Sequence, residues 1–323
     1  MRRYNEYDFL KCIATILVVI GHITILYKNG GSFPQLENRL LSTITDFIYL
    51  FHMPLFIAIS GTIYAIGKQN GKYQNLRFFI YNKIKRLLIP YYFTAIIFLA
   101  PTILLLDMNK NISDINYYIN LLIGIDSRHL WFLWALFEIF IINFFCKERH
   151  IWVYICIAII IASINSSFNK GISIFSIPMA IYYLPYFFLG KWLTRNYSTI
   201  KIQIFIALFV IIISGCIIKL NKIEYVDSIF SFFMNGGIVI LIYSCSQKIF
   251  NEKIFQYKYV KMLLKNSFAI YLFHVPIIYI TVYYFQNLPT TILLPIVGIT
   301  AIMVSALIAT ILRKIKLQQF IGE

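Results

Sequence analysis

The sequence predicts an all-α, polytopic integral membrane protein of about ten transmembrane helices, with both ends of the chain on the inner side (N-in, C-in). Three observations carry this reading. Of the 323 residues, 60% are hydrophobic and 13% charged, and the mean hydropathy is +0.75, a composition outside the range of water-soluble domains. Apolar runs of the length that crosses a hydrocarbon layer recur along nearly the whole chain. Lys and Arg collect in the short gaps between these runs, abundant and sparse by turns. The net charge of +16 could suggest nucleic acid, but basic residues confined to such gaps are the membrane pattern, so no nucleic-acid partner is expected.

The runs place ten spans at 8–28, 44–67, 86–106, 128–146, 150–166, 174–193, 201–219, 228–248, 267–286 and 290–312. The gaps on the proposed inner side hold 21 Lys and Arg against 7 on the other side, with Lys11 inside the first span. That asymmetry has the right parity at every gap. The segment 107–127 is the longest outer connection, carries Asp107, Asp114 and Asp126, and could lie over a substrate opening. The longest inner gaps, 68–85 and 249–266, are too short to be domains. One membrane domain, residues 1–323, is therefore expected, with no appended soluble domain and no cleavable signal peptide. Cys12, Cys146, Cys156, Cys216 and Cys245 lie in or beside apolar runs, without CxxC or Cys/His metal spacing, and no metal is expected.

Five polar constellations interrupt the apolar pattern. In the first span, Asp8, Lys11, Thr15 and His22 share a narrow sector of one helix face. A charged side chain at the bilayer centre costs about 2.5–3.5 kcal/mol, so such a stripe needs a protected surface or a task. His22 lies roughly 21 Å of helix rise into its span, towards the outer side, and a neutral imidazole is suited to take a proton from a hydroxyl. Asp8 and Lys11 could equally be an ion pair anchoring the helix. In the second span, FHMPLFIAISG (51–61) puts His52 at a depth similar to that of His22. The alternative is an interfacial histidine, with Pro54 and Ser60-Gly61 serving helix packing. Lys83, Lys85 and Arg86 gather at the inner mouth of the third span, where they either anchor to anionic lipid or grip phosphates. In HLWFLWALFE (129–138), Trp131, Trp134 and Glu138 share a face; His129 and the tryptophans suit an interfacial belt or a sugar-stacking surface, and Glu138 calls for a partner such as Lys11 or a histidine. In NSFAIYLFHVP (266–276), Ser267, Tyr271 and His274 align in the inner half of the ninth span, lining a donor entrance or bonding another helix. Signatures of a serine-hydrolase elbow, phosphate-binding loop, dinucleotide fold and zinc protease are not found.

Taken in order, D8-F-L-K11 with VVIGH22, FHMPLFIAISG61, KRLLIPYY92, HLWFL133 and SFAIYLFHVP276 resemble the acyltransferase-3 family of integral-membrane O-acyltransferases, nearest its stand-alone branch of fucose O-acetylase-like and surface-polysaccharide acetylases. The resemblance covers most of the chain. It implies an acetyl or other short acyl group taken from cytoplasmic acyl-CoA (acetyl-CoA in the simplest case) and delivered to a hydroxyl of a cell-surface or lipid-linked glycan. It also implies a multi-pass bacterial plasma-membrane location among lipids, and work beside other surface-polysaccharide biosynthesis proteins. Residue by residue, His22 matches the family's first-span histidine, as general base or acyl carrier; His52 lies in its second-span motif; Lys83 and Arg86 match its basic cluster. Many relatives carry an Arg about ten residues before that histidine, where this chain has Lys11.

On this reading Lys83, Lys85 and Arg86 bind the phosphates of the donor, Lys11, Tyr271 and His274 line its path, and Asp8, His52 or Glu138 supports His22. Trp131, Trp134 and His129 face the sugar. The competing class is an exporter or flippase of a glycan or its lipid-linked precursor, which ten spans without a soluble domain also fit; the lack of a repeat between halves argues against it.

Overall fold

The computed structural model describes residues 6–28, 33, 36–108, 113–168, 174–194, 200–220 and 224–323. Of the charge pattern, Arg2, Arg3, Lys110, Lys170, Arg195 and Lys222 lie outside the described residues. Those described form helices, turns and connections, with no strand among them. In order, the helices are α1 (Glu6–Thr24) and α2 (Arg39–Gln69); α3 (Leu76–Leu105); α4 (Asp114–Leu122) and α5 (Trp131–Phe145); α6 (Ile151–Phe168), α7 (Ile177–Leu193) and α8 (Ile200–Leu220); and α9 (Glu224–Ile249), α10 (Lys258–Phe285) and α11 (Thr290–Lys314).

Among the described residues nine segments are long and apolar enough to cross a membrane. The tenth expected span, 174–193, is a helix of 17 residues, at the short end of what spans a bilayer. The chain is thus an all-α, multi-pass membrane protein. Its helices group into two compact units. The first takes residues up to Leu10, Leu50–Tyr81 and Trp134–Asn251; the second takes Lys11–Tyr49, Asn82–Leu133 and Glu252–Glu323.

In the first unit α8 packs along α9, and α6 along α7. The crossing of α2 and α7 depends on two glycines. A Cβ at Gly61 would strike the Phe187 carbonyl, and one at Gly190 would strike the Ala58 carbonyl. Small residues let two backbones touch where lipid supplies no hydrophobic drive for association. The Thr62 hydroxyl then donates to the Gly190 carbonyl at 2.8 Å.

In the second unit α10 packs along α11. Helix α3 is widened twice into π-turns, at Ile84–Leu88 and Ala95–Leu99. Each lies just before a proline, Pro90 and Pro101. A proline ring collides with the carbonyl four residues back, and a wider turn relieves that collision. The segment 107–127 carries α4, and the Tyr91 and Tyr92 hydroxyls donate to the Leu121 and Leu122 carbonyls at its end, at 2.6 and 3.2 Å. The KRLLIPYY motif therefore tethers this segment as well as supplying cations. Those cations sit within α3 rather than before it, because LRFFIYN (76–82) continues the helix about ten residues earlier than the expected start at 86.

Candidate active site

The second unit brings together three histidines from three separate stretches of sequence. The rings of His22 and His274 lie 5.0 Å apart between centroids, those of His129 and His274 5.0 Å, and those of His22 and His129 5.9 Å. His129 and His274 are buried. His22 is the seventeenth residue of α1 and His274 the seventeenth of α10, so each is about 24 Å of rise from its helix start. The bounds expected for this helix change. The helix begins at Lys258, not 267, because Tyr259, Val260, Met262, Leu263 and Leu264 extend its apolar pattern.

His129 is buried rather than presented on the surface. It lies on a short 3₁₀ turn, Arg128–Leu130, that leads into α5. The turn is entered through Gly124, Asp126 and Arg128, all at positive φ (76°, 53° and 49°). A non-glycine residue held there costs about 1–3 kcal/mol, and such strain persists where the surroundings over-determine the backbone. Here Leu130 N–H donates to Ser127 O at 2.9 Å and Asn120 Nδ2 to Asp126 Oδ2 at 3.3 Å. The Tyr271 hydroxyl donates to the His129 carbonyl at 2.5 Å.

Backbone carbonyls decide which ring nitrogens stay available. His129 Nε2 is 3.1 Å from the Leu272 carbonyl. A carbonyl only accepts, so Nε2 carries the hydrogen and Nδ1 is an acceptor in the neutral ring. The Leu272 carbonyl is available because the residue four further on is Pro276, which has no N–H to give it. His274 Nδ1 is 2.8 Å from the Tyr271 carbonyl and 2.9 Å from that of Ile270. It too is a donor, which leaves Nε2 as the acceptor in the neutral ring. His129 Nδ1 is buried and has no hydrogen-bond partner among the described residues. The Tyr49 hydroxyl lies 3.5 Å from His22 Nδ1. The result is a cluster of three imidazoles in which main-chain carbonyls fix the orientation of two rings.

The other expected residues distribute as follows. His52 and Asp8 are buried and belong to the first unit, on α2 and α1; Lys11 follows on α1 in the second. Trp131 belongs to the second unit, with its ring against Phe132 at 6.3 Å. Trp134 and Glu138 belong to the first, where Trp134 packs on Phe175 at 4.7 Å. The partner expected for Glu138 is not found: its Oε2 is buried without a hydrogen-bond partner among the described residues. Tyr271 is buried against His129 (5.7 Å) and Phe132 (5.4 Å). Lys83, Lys85 and Arg86 lie along the start of α3, and Arg86 Nε reaches the Gly322 carbonyl at 3.5 Å. Sequence reasoning missed Tyr49 and the role of Pro276. The only available signal for the latter was the His-x-Pro spacing. Among the described residues, no group of three or more His, Cys, Asp or Glu side chains has the geometry to hold a metal ion.

Comparison with known proteins agrees with this architecture. A family model described as an acyltransferase domain matches residues 4–312. Nodulation protein NolL of Sinorhizobium fredii is 30% identical over 192 residues, covering 57% of this chain and 47% of that protein. Nodulation protein NolL of Mesorhizobium japonicum is 27% identical over 192 residues, covering 57% and 46%. The chain spans about half the length of the curated relatives it matches. No solved structure matches it. A family match that runs through α1, the His129 turn and nearly all of α11 makes this chain a member of the acyltransferase-3 family.

Proposed function

We propose that the chain is a membrane O-acyltransferase that moves an acetyl or other short acyl group from acyl-CoA to a hydroxyl of a cell-surface or lipid-linked glycan. The observation that supports this reading is the histidine cluster, in which the His129 ring is turned by a main-chain carbonyl so that its buried Nδ1 is left as an acceptor. A buried acceptor without a donor calls for one from a ligand, and an alcohol supplies it.

In the proposed step His22 takes the proton of the acceptor hydroxyl, and the oxygen attacks the thioester carbonyl. The new C–O ester bond forms as the C–S bond breaks, and the thiolate leaves as coenzyme A after taking up the proton. The reacting hydroxyl has a single hydrogen and gives it to His22, so the His129 Nδ1 acceptor is placed for a neighbouring hydroxyl of the sugar, which helps hold the acceptor in line. The donor enters from the cytoplasmic side of a bacterial plasma membrane, with Lys83, Lys85 and Arg86 at its phosphates and Lys11 near its path. Asp8, His52 and Glu138 take supporting roles, and Trp131 and Trp134 offer faces to the sugar.

The test is the O-acyl content of the host's surface glycans by mass spectrometry, in wild type, in a deletion strain and in that strain complemented with His22→Ala at matched membrane level. Loss of one acyl mass in both mutants, with glycan quantity kept, is the expected result. Unchanged acylation with loss of surface glycan would replace this reading with export.

A further inference from the structure

About two helical turns before the histidine of α10, one arginine of α11 is held in a way that ordinary helix anchoring does not require. Arg313 Nε and Nη2 donate to the two carboxylate oxygens of Glu323, at 2.8 and 2.6 Å. Its Nη1 donates to Asn266 Oδ1 at 2.7 Å, and Nη2 also reaches the Lys265 carbonyl at 3.3 Å. Asn266 is buried, and its own Nδ2 is turned away to the Met262 carbonyl at 2.9 Å, so its oxygen is fixed towards the guanidinium. All three guanidinium nitrogens are thereby aimed, and two of them are aimed at an anion.

The anion is brought there by the last turn of the chain. Phe320 stacks on Phe93 at 4.4 Å and Ile321 is buried. Gly322 adopts φ 72°, and a Cβ there would sit 2.8 Å from the Phe268 ring and 2.9 Å from the Arg86 carbonyl. No larger residue fits that passage without displacement. The segment thus meets Arg86 and Arg313 together. The Glu323 side chain is 43% exposed and the Arg313 side chain 18%, so the carboxylate can leave while the arginine stays in place.

The arginine fork fits phosphate as well as carboxylate, and phosphate carries more charge. Asn266 and His274 are eight residues apart on α10, about 12 Å of rise. A phosphate at Arg313 therefore lies two helical turns from the histidine cluster, a span that an extended donor arm would bridge. We infer that Arg313, aimed by Asn266 and flanked by Arg86, is a phosphate subsite for the acyl donor, and that the Glu323 carboxylate occupies it as an internal competitor when no donor is bound. The inference rests on the acyl-CoA reading above. An anionic lipid headgroup shares the same phosphate chemistry and is the alternative source.

The experiment measures binding of coenzyme A, and of pantetheine, which lacks the phosphates, to the full chain in phosphatidylcholine nanodiscs. Wild type is compared with Glu323→Gln and Arg313→Lys, with thermal unfolding of each as the fold control. Glu323→Gln should tighten coenzyme A binding about tenfold, and Arg313→Lys should weaken it about tenfold, the size of one bidentate charge-assisted contact. Pantetheine binding should not change. If coenzyme A binds all three proteins alike, the pair is a structural clasp and the inference falls while the transferase reading stands. If Arg313→Lys does not fold, Glu323→Gln decides alone. Nanodiscs containing phosphatidylglycerol form a further arm: binding of that lipid, but not of coenzyme A, that follows the two substitutions would assign the subsite to a headgroup and overturn the donor assignment. Failure of wild type to bind coenzyme A at all, with acylation indifferent to His22→Ala, would remove the transferase reading itself.

Discussion

In the first unit, a buried lysine is closed off by its surroundings. Lys191 Nζ donates to Asn143 Oδ1 at 2.6 Å and lies over the rings of Tyr64 and Phe188 at 5.5 and 5.6 Å. In the second, three imidazoles meet, and main-chain carbonyls orient the rings of His129 and His274, leaving the buried Nδ1 of His129 as an acceptor. Both are polar clusters within membrane helices, where ionisable side chains are expensive and usually have a task. The difference is chemical. A protonated lysine has three donors and no acceptor, and its neighbours here finish its coordination with an amide oxygen and two aromatic faces. A neutral imidazole donates through one nitrogen and accepts through the other, so a carbonyl on one side leaves the other side ready for a proton. The first cluster suits holding helices, and the second suits moving a proton. Gly61 and Gly190 reinforce the contrast, since they place α2 against α7 backbone to backbone in the unit that holds Lys191.

The comparison breaks most sharply at the residues that define it. His22→Ala should lower acyl transfer by about 10²–10⁴-fold with the protein still folded, measured as product formed by purified enzyme in lipid. Lys191→Met should leave turnover within a few-fold and instead lower thermal stability, by roughly 1–3 kcal/mol for the stranded Asn143 oxygen. Equal losses of turnover from both would erase the distinction drawn between the clusters.

Gly61→Ala and Gly190→Ala should each destabilise the protein by about 3 kcal/mol or more, because the added methyl meets a carbonyl rather than a yielding side chain. Folded yield and the unfolding midpoint would report it. Near-native stability in either variant would show that the crossing tolerates separation.

Pro276→Ala sharpens the role of the second cluster. It restores an N–H that competes with His129 for the Leu272 carbonyl, and it removes a helix-breaking residue. Turnover should fall roughly tenfold, the worth of one hydrogen bond that orients a reacting group, while the unfolding midpoint is kept or raised. A fall in both together would mean that the proline serves packing alone. Tyr49→Phe should be the mildest change, below about threefold in turnover, because its 3.5 Å contact with His22 is at the limit of a hydrogen bond.

The membrane class and the order of the spans were legible in the chain, because a bilayer imposes length and polarity on each span separately. The polar stripe on α1 was visible for the same reason: helical periodicity is local. The partners of His22 were not. His129 read as an interfacial residue because it precedes two tryptophans, and its burial depends on a loop held at positive φ by contacts that sequence spacing does not encode. The start of α10 read as 267 because it was set by hydropathy, which undervalues the apolar half-turns between Lys258, Lys261 and Lys265.

By itself the sequence determined that the chain crosses the membrane many times, which helix face carries His22, and which residues could do acyl-transfer chemistry. Only the tertiary structure decided that His22, His129 and His274 meet, and that Leu272, Tyr271 and Ile270 orient the rings of His129 and His274. Spans are specified one at a time by the transfer of side chains into lipid. A site shared by three distant segments is specified by how their backbones pack and by which carbonyl a proline leaves open.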